Sequence, residues 1–188
     1  MQSSSLALAR QIACPVVLIS SSSNKQGSTD KQADDLCMVS SINYVNLEPL
    51  VISTTFLKTS KTGSAALASK KMAISLLHFQ HLEAVEKLES LTTKEKEQIS
   101  AAEYLQNCGF ATARLKSNLL YIEGCPAFEL CIFAQTELEQ YIVVLAKPAE
   151  TVGASEPNKN LEPLIRYNRL YCTIDRERLS QENERYPV

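Results

Sequence analysis

The sequence predicts a mainly β fold, specifically an antiparallel β-barrel with helical insertions. Eight or nine short runs rich in β-branched and aromatic residues follow one another at short spacing along the chain. Helical patterns are confined to two insertions between these runs. Because a parallel sheet needs a long crossover between successive strands, this distribution favours an antiparallel barrel over an alternating βαβ sheet.

The sequence pattern assigns residue ranges to the strands, helices and loops. Strands are expected at residues 15–20, 36–41, 50–57, 72–77, 119–122, 127–135, 140–146, 164–167 and 170–174. Helices are expected at residues 62–70, 81–88 and 93–107, the last ending near Gly109. A turn is expected at 46–49, a hairpin between Phe133 and Tyr141, and polar loops at 21–35 and 148–163.

Size and charge set the domain count and exclude some partners. The chain of 188 residues is expected to form a single domain, 1–188, with an N-terminal arm at 1–11 and a C-terminal tail at 175–188. A net charge of -2 creates no overall field for nucleic acid or an anionic membrane, so neither is an expected partner. We also find no apolar run of about 18 residues, so no transmembrane helix is predicted.

The cysteines and histidines predict neither a metal site nor a catalytic nucleophile. Six cysteines show no Cys-x-x-Cys pair, and several lie in apolar runs, where free cysteine is typically a small buried side chain. This pattern is typical of a reducing compartment, and we expect a cytoplasmic location. The two histidines, His78 and His81, have no cysteine nearby in sequence. We therefore name no metal ligand and no catalytic residue, and expect both histidines at the surface or the edge of the core.

A candidate phosphate site lies where the third predicted strand runs into the first helix. Two lysines and three hydroxyl residues gather there: Lys58, Thr59, Ser60, Lys61 and Thr62. Ammonium groups, hydroxyls and the amides of a helix start can together hold a dianion. The alternative is a solvated helix cap, with Ser60 or Thr62 as the capping residue. No glycine-rich phosphate loop is present elsewhere in the sequence.

The residues from Val39 to Thr62 carry a resemblance to a known family. Val39-Ser40-Ser41, then Asn46-Leu47-Glu48-Pro49-Leu50-Val51, a hydroxyl-rich strand and Thr59-Ser60-Lys61-Thr62 follow in that order. This arrangement is similar to the flavin reductase-like, FMN-binding split-barrel family. The resemblance extends more loosely from residue 15 to about residue 174.

The resemblance implies which residues bind a flavin. In the family, the segment matching Val39, Ser40, Ser41, Ile42 and Asn43 lies along the flavin ring. The strand matching Ser53, Thr54 and Thr55 passes the ribityl chain. The segment matching Lys58, Ser60, Lys61 and Thr62 takes the phosphate. The alternative is that the serines and threonines are ordinary strand hydroxyls facing water on alternate positions.

The resemblance also implies an activity and an assembly. It implies FMN as cofactor, with FAD less favoured, an NAD(P)H-dependent flavin oxidoreductase activity, and a homodimer. The flavin would carry the chemistry, so no protein nucleophile is required. One departure concerns the later hairpin, where Leu138-Glu139-Gln140-Tyr141 stands in place of the Gly-Asp-His common in the family's reductases. The missing histidine leaves an alternative open, a flavin-binding electron carrier without nicotinamide activity, and NADH and NADPH also remain open.

Overall fold

The computed structural model describes residues 11–23, 33–90, 99–153, 162–167 and 169–174, and within them it has twelve strands. In chain order these are β1 Cys14–Pro15, β2 Val17–Ser23, β3 Ala33–Val39, β4 Ile42–Leu47, β5 Leu50–Leu57, β6 Lys71–Leu76, β7 Thr112–Arg114, β8 Leu120–Ile122, β9 Ala127–Glu137, β10 Tyr141–Val152, β11 Ile165–Tyr167 and β12 Leu170–Cys172. The predicted arm and tail fall mostly or wholly outside the described residues.

Seven of these strands form one antiparallel sheet that curves around a single core. The strand order is β3-β2-β6-β9-β10-β5-β4, so β3 and β4 are its two edges in the described part of the chain. Side chains from both ends of this order, such as Cys37 and Val39 on β3 and Ile42 on β4, contact the same apolar cluster. A flat sheet would keep its edges apart, so the sheet is rolled into a barrel. The predicted β-barrel fold is confirmed.

The helices within the described residues are α1 Lys61–Ser69, α2 Leu82–Ser90 and α3 Ala101–Cys108, with a short 3₁₀ turn at Phe79–His81. Helix α1 begins where the hydroxyl of Ser60 accepts a hydrogen bond from the amide of Gly63 at 3.1 Å. Helix α3 ends at Gly109, whose φ of 102° is a left-handed value that glycine adopts without steric cost. The predicted helix stop at this glycine is confirmed.

Helices α2 and α3 cover the outer face of the barrel beside β2 and β3. A second apolar cluster joins Leu18 of β2 to Val85 and Leu88 of α2 and to Tyr104 and Leu105 of α3. Leu36 and Met38 of β3 pack against the same cluster. The insertion therefore forms a wall next to an edge strand, and this wall creates the cleft described below.

Several predicted boundaries differ from the observed ones. The strand at Leu50–Leu57 is as predicted. Strand β4 covers residues 42–45, for which no element was expected, and the first two residues of the turn expected at 46–49. Its residues after Ile42 are exposed, so they lack the apolar alternation that reveals a half-buried strand. Strand β7 was also missed, because three residues carry too little periodicity. The polar loops at 21–35 and 148–163 were predicted too long: residues 21–23 and 33–35 are strand, and 24–32 lie outside the described residues.

The end of β10 and the last hairpin show two further differences. Strand β10 continues through Pro148 to Val152, with a register shift against β9 between Pro148 and Glu150. A proline lacks an N–H group, so a bulge is where a strand tolerates it. In the last hairpin, Tyr167 lies opposite Leu170 and Tyr171 opposite Arg166, so the two tyrosines do not form a directly opposed cross-strand pair. The predicted helix at 93–107 is observed only from Ala101, and 91–98 lie outside the described residues.

Helix α1 lies so close to β5 that only glycine fits at position 63. A Cβ atom built on Gly63 would be 2.7 Å from the Cβ of Phe56, which is itself buried in the barrel. Alanine is the better helix former by about 1 kcal/mol, but this overlap forces the helix or the ring to move. Gly63→Ala should lower the free energy of unfolding by about 1–2 kcal/mol in denaturant titrations. The matched control is the exposed neighbour Ser64→Ala, and a Gly63→Ala variant as stable as that control would contradict the close approach.

Candidate functional site

A cleft of ≈ 610 Å³ runs along the outer edge of β3. Five consecutive residues of β3, 34–38, line it. Because successive side chains of a strand point to opposite faces, five consecutive lining residues mean that the cleft lies along the edge of β3 and not on one of its faces. The opposite sides are the N-terminus of α1 and the wall formed by α2, α3 and Ile99. The volume is within the usual range of small-molecule sites, about 300–1,000 Å³.

One wall of the cleft is apolar. Leu18, Leu36 and Met38 face it from the barrel, and Leu88, Ile99 and Tyr104 face it from the helical insertion. The Tyr104 hydroxyl donates a hydrogen bond to the Leu88 carbonyl at 3.2 Å, which joins α3 to α2. An apolar wall of this kind accepts the flat face of an aromatic ring system.

The other wall is polar and consists of the α1 N-terminus. Thr59, Ser60, Lys61 and Thr62 all line the cleft. The carbonyl of Thr62 accepts a hydrogen bond from the Ser21 hydroxyl at 2.8 Å, which ties this end of the helix to β2. Because Ser60 accepts from Gly63 through its oxygen, its own hydroxyl proton remains available as a donor. The sequence left open whether Ser60 or Thr62 caps helix α1, and the structure shows that Ser60 does.

Three carboxylates enter the cleft, and each lies near a cation. Asp34 is bound by Arg114 of β7 at 2.7 Å, and Glu89 at the end of α2 lies 3.6 Å from Arg166. Asp35 has Lys61 as its electrostatic partner. Burial raises the pKa of Asp35, the ammonium of Lys61 opposes this shift, and neighbouring Asp34 adds to it. The cleft therefore has little net charge.

Cys37 also lines the cleft, and it is protonated at neutral pH. Burial raises the pKa of its thiol to about 11, a hydrogen bond with the side chain of Thr62 opposes this shift, and Asp35 adds to it. A thiol with this pKa is a poor nucleophile, because the thiolate is the reactive form. This agrees with the expectation that the cysteines are structural, and all six are free.

The predicted flavin-binding residues fall into two groups. Ser60, Lys61 and Thr62 line the cleft. The second group consists of Ser40 and Ser41 at the bend before β4, Asn43 on β4, and Ser53 and Thr55 on β5. The Thr55 hydroxyl donates a hydrogen bond to the Ser41 hydroxyl at 2.5 Å. Ser53 makes a weaker contact with the carbonyl of Asn43 at 3.4 Å. Met38 is the last residue of β3 that lines the cleft, and Ser40 follows it by two residues, about 7 Å along an extended chain. The second group therefore begins close to this end of the cleft.

Four of the predicted flavin-binding residues have side chains that point away from the cleft. Val39, Ile42 and Thr54 face the barrel interior, where Thr54 is fully buried. These three could reach a ligand only through their backbone groups. Lys58 points away from the cleft, because its ammonium pairs with Glu137 at 2.9 Å and its amide donates to the carbonyl of Gln140.

The sequence did not indicate the acidic residues of the cleft or its helical wall. Asp34 and Asp35 precede an apolar run that is typical of a strand, but nothing in their spacing places them beside Lys61. Glu89 and Tyr104 come from the insertion, which is distant in sequence. The available signal was the amphipathic pattern of the two insertion helices, since an apolar helix face must pack against something.

The histidines lie outside the cleft. His78 is buried after β6, and the ring nitrogen Nδ1 of His81 accepts a hydrogen bond from the amide of His78 at 3.2 Å. Burial lowers the pKa of His81, as does the neighbouring His78, while the backbone hydrogen bond opposes them. Among the described residues, no group of three His, Cys, Asp or Glu side chains is placed to hold a metal ion. No helix in the described ranges is long and apolar enough to span a membrane.

The fold and the site together define a class, an antiparallel barrel with a small-molecule cleft beside an edge strand. Residues 9–175 match the flavin reductase like domain family, so the chain belongs to that family. The predicted family is thereby confirmed, and a flavin oxidoreductase function is supported. No curated protein matches the sequence.

Solved structures with this fold share little sequence with the chain. Component B of nitrilotriacetate monooxygenase from Mycobacterium thermoresistibile has a TM-score of 0.71 at 16% identity, covering 94% of this chain and 88% of its own. The NADH:FAD oxidoreductase of Streptomyces globisporus C-1027 has a TM-score of 0.72 at 11% identity, covering 93% of both chains. The styrene monooxygenase flavin reductase of Pseudomonas putida S12 has a TM-score of 0.68 at 11% identity, covering 90% of this chain and 96% of its own.

Proposed function

We propose that the chain is an NAD(P)H-dependent flavin oxidoreductase that holds FMN along the edge of β3. The observation that carries this proposal is the position of Ser60, Lys61 and Thr62 at one end of a cleft whose other wall is apolar. A flavin phosphate needs a cation and hydroxyl donors, and an isoalloxazine ring needs an apolar face and hydrogen-bonding partners at its polar edge.

The residues present fit such a ligand from end to end. The phosphate would meet the ammonium of Lys61, the hydroxyl of Ser60 and the positive end of α1. In the described part of the chain no strand pairs with the outer side of β3, so backbone N–H and C=O groups on that side are available to the polar edge of the ring. The hydroxyls of Ser41 and Thr55 lie beyond the end of β3.

The chain's own contribution to the reaction is binding and orientation. Bound flavin would supply the redox chemistry, accepting a hydride from the nicotinamide and passing the electrons onward. Leu36 and Met38 would exclude water from one side of the ligand, and Lys61 would neutralise its phosphate. We favour FMN over FAD because Lys61 is the only lysine or arginine among the described residues that line the cleft. FAD has a second phosphate group, for which no further lysine or arginine lines the cleft in the described part of the chain.

The location and the nicotinamide step are also part of the proposal. Six free cysteines support the cytoplasm as the site of action. The β9–β10 turn, residues 138–140, carries no histidine, and its Gln140 carbonyl binds the amide of Lys58 at 3.0 Å. This turn favours, as a second candidate, an electron carrier that binds flavin without reacting with nicotinamide.

We further propose a homodimer formed through the outer face of β4, β5 and the β9–β10 hairpin. Large apolar side chains are exposed there: Tyr44, Val45, Leu47, Leu57, Phe133, Leu138 and Tyr141. Tyr141 lies directly opposite Leu57 on neighbouring strands, so these two are contiguous. Contiguous exposed apolar surface is typical of an interaction site, and a second copy of the same chain is the commonest partner.

One prediction of the proposed function concerns flavin content and nicotinamide reactivity. Protein reconstituted with FMN should show the flavin absorbance between roughly 350 and 500 nm, and NADH or NADPH should bleach it under anaerobic conditions. A yellow protein that neither nucleotide bleaches would select the electron carrier instead. If the protein neither binds FMN nor melts at a higher temperature in its presence, the flavin proposal is wrong.

The second prediction concerns the phosphate contact. Lys61→Met should weaken FMN binding about tenfold and change riboflavin binding less than about twofold, because only FMN carries the phosphate. Flavin fluorescence titrations at low ionic strength would measure both dissociation constants. Lys58→Met is the matched control, because Lys58 pairs with Glu137 away from the cleft. Equal losses of both flavins in Lys61→Met would argue against a phosphate at this helix end.

The third prediction concerns assembly. Wild-type protein should sediment with twice the chain mass of 20.8 kDa. The double variant Leu57→Lys and Tyr141→Glu should sediment as a monomer, because burying two charges in an apolar interface is costly. Leu170→Glu, an equally drastic change at an exposed leucine on β12, should leave the dimer intact. A monomeric wild type, or dissociation by the control alone, would contradict this interface.

A further inference from the structure

An ion pair fixes the first half of the edge strand β3. Strand β3 pairs with β2 along its length, and in the described ranges no strand pairs with its other side. The Asp34 carboxylate binds the guanidinium of Arg114 on β7 through two contacts, at 2.7 Å from Oδ2 to Nη2 and at 3.5 Å from Oδ1 to Nη1. Two parallel contacts with one guanidinium give a carboxylate a defined orientation, which a single contact does not. Asp34 is therefore held in place although it lies on an edge strand.

Arg114 is itself held by the hairpin of β7 and β8. Its guanidinium donates a further hydrogen bond to the Asn118 carbonyl at 2.5 Å. The hairpin is bound to the barrel through the Ser75 hydroxyl of β6, which accepts from the Ile122 amide at 2.9 Å, and through the Leu120 carbonyl, which accepts from a hydroxyl of β2. The ion pair therefore connects β3 to an element that is anchored on two other strands of the sheet.

Asp34 is buried even though it lines the cleft. Its side chain is only 5% exposed, whereas Arg114 is 38% exposed and is not one of the residues that line the cleft. A buried carboxylate that loses its cation must regain contact with water or take up a proton. Because Asp34 lines the cleft, its route to water leads into the cleft. Without Arg114, the first half of β3 would therefore shift toward the space that a ligand occupies.

We propose that Arg114 is a positioning residue of the flavin site: through the Asp34 carboxylate it holds residues 34–38 in the line along which the flavin ring binds. The inference rests on the proposed function, in which the outer side of β3 offers backbone groups to the polar edge of the ring. Hydrogen bonds weaken steeply as their distance and angle depart from the optimum, so a small shift of the strand loosens the ring. Arg114 therefore acts equally on FMN and on riboflavin, whereas Lys61 acts on the phosphate alone.

The test measures the binding of both flavins in variants of Arg114. Arg114→Met should raise the dissociation constants of FMN and riboflavin by the same factor, about tenfold. Arg114→Lys should raise both by only about threefold, because an ammonium group keeps the charge but cannot make the two parallel contacts. If Arg114→Met does not fold, the double variant Arg114→Met with Asp34→Asn removes the buried charge as well. It should still bind both flavins about tenfold more weakly than the wild type, because the anchor of β3 is missing.

The matched control is Lys71→Met, which breaks a similar ion pair away from the cleft. Lys71 on β6 contacts Glu129 at 2.8 Å, and the Glu129 side chain is 6% exposed, close to the 5% of Asp34. Neither Lys71 nor Glu129 lines the cleft. Lys71→Met should therefore lower the melting temperature as Arg114→Met does, while both flavin dissociation constants change less than about twofold. The titrations are made at a temperature at which every variant is folded.

Hydrogen exchange reports on β3 without a ligand. Amides of residues 34–38 should exchange at least about tenfold faster in Arg114→Met than in Lys71→Met, while the amides of β5 do not differ. Unchanged exchange at 34–38, unchanged flavin binding in folded Arg114→Met, a loss confined to FMN, or an equal loss in Lys71→Met would each overturn the inference and leave flavin binding itself intact. If the wild type binds neither flavin, the proposed function fails and the inference fails with it.

Discussion

The contact between Gly63 and Phe56 is the constraint on which the cleft depends. Because position 63 has no side chain, the first turn of α1 lies directly against the barrel, and a Cβ atom there would overlap the phenyl side chain. The Ser21 hydroxyl then binds the carbonyl of Thr62 and sets the helix end against β2. Ser60, Lys61 and Thr62 are presented beside the edge of β3 as a result. A helix held even slightly farther out would move the hydroxyls and the ammonium away from the cleft.

The second element that defines the site is the helical insertion. Helices α2 and α3 are short, and each buries its apolar face against the outer surface of β2 and β3 instead of against the barrel interior. The outer edge of β3, which pairs with no other strand in the described ranges, is thereby flanked by leucine, isoleucine and tyrosine side chains. A cleft with a polar end, an apolar wall and a line of backbone groups is the product of both elements together. Neither the barrel nor the insertion would form it alone.

The electrostatics of the cleft differ from those of a strongly basic phosphate site. Its acids and cations nearly cancel, through Asp34 with Arg114, Glu89 with Arg166 and Asp35 with Lys61. Such balance is consistent with a chain whose net charge is only -2. Long-range attraction contributes little, because exposed charges are screened within about 8 Å at physiological salt.

The sequence by itself determined the barrel class, the strand at Leu50–Leu57, a helix directly after it and the helix stop at Gly109, because local periodicity and capping chemistry decide these features. It left the cap of α1 open between Ser60 and Thr62. It also indicated Ser60, Lys61 and Thr62, since a cluster of hydroxyls and cations at a helix start is visible in the chain. Only the tertiary structure decided that Asp35 and Lys61 line the same cleft, that Lys58 pairs with Glu137, and that Thr54 faces the core. The physical reason is that these contacts join residues on different strands and helices, and their geometry follows from sheet register and helix docking, which no local pattern encodes.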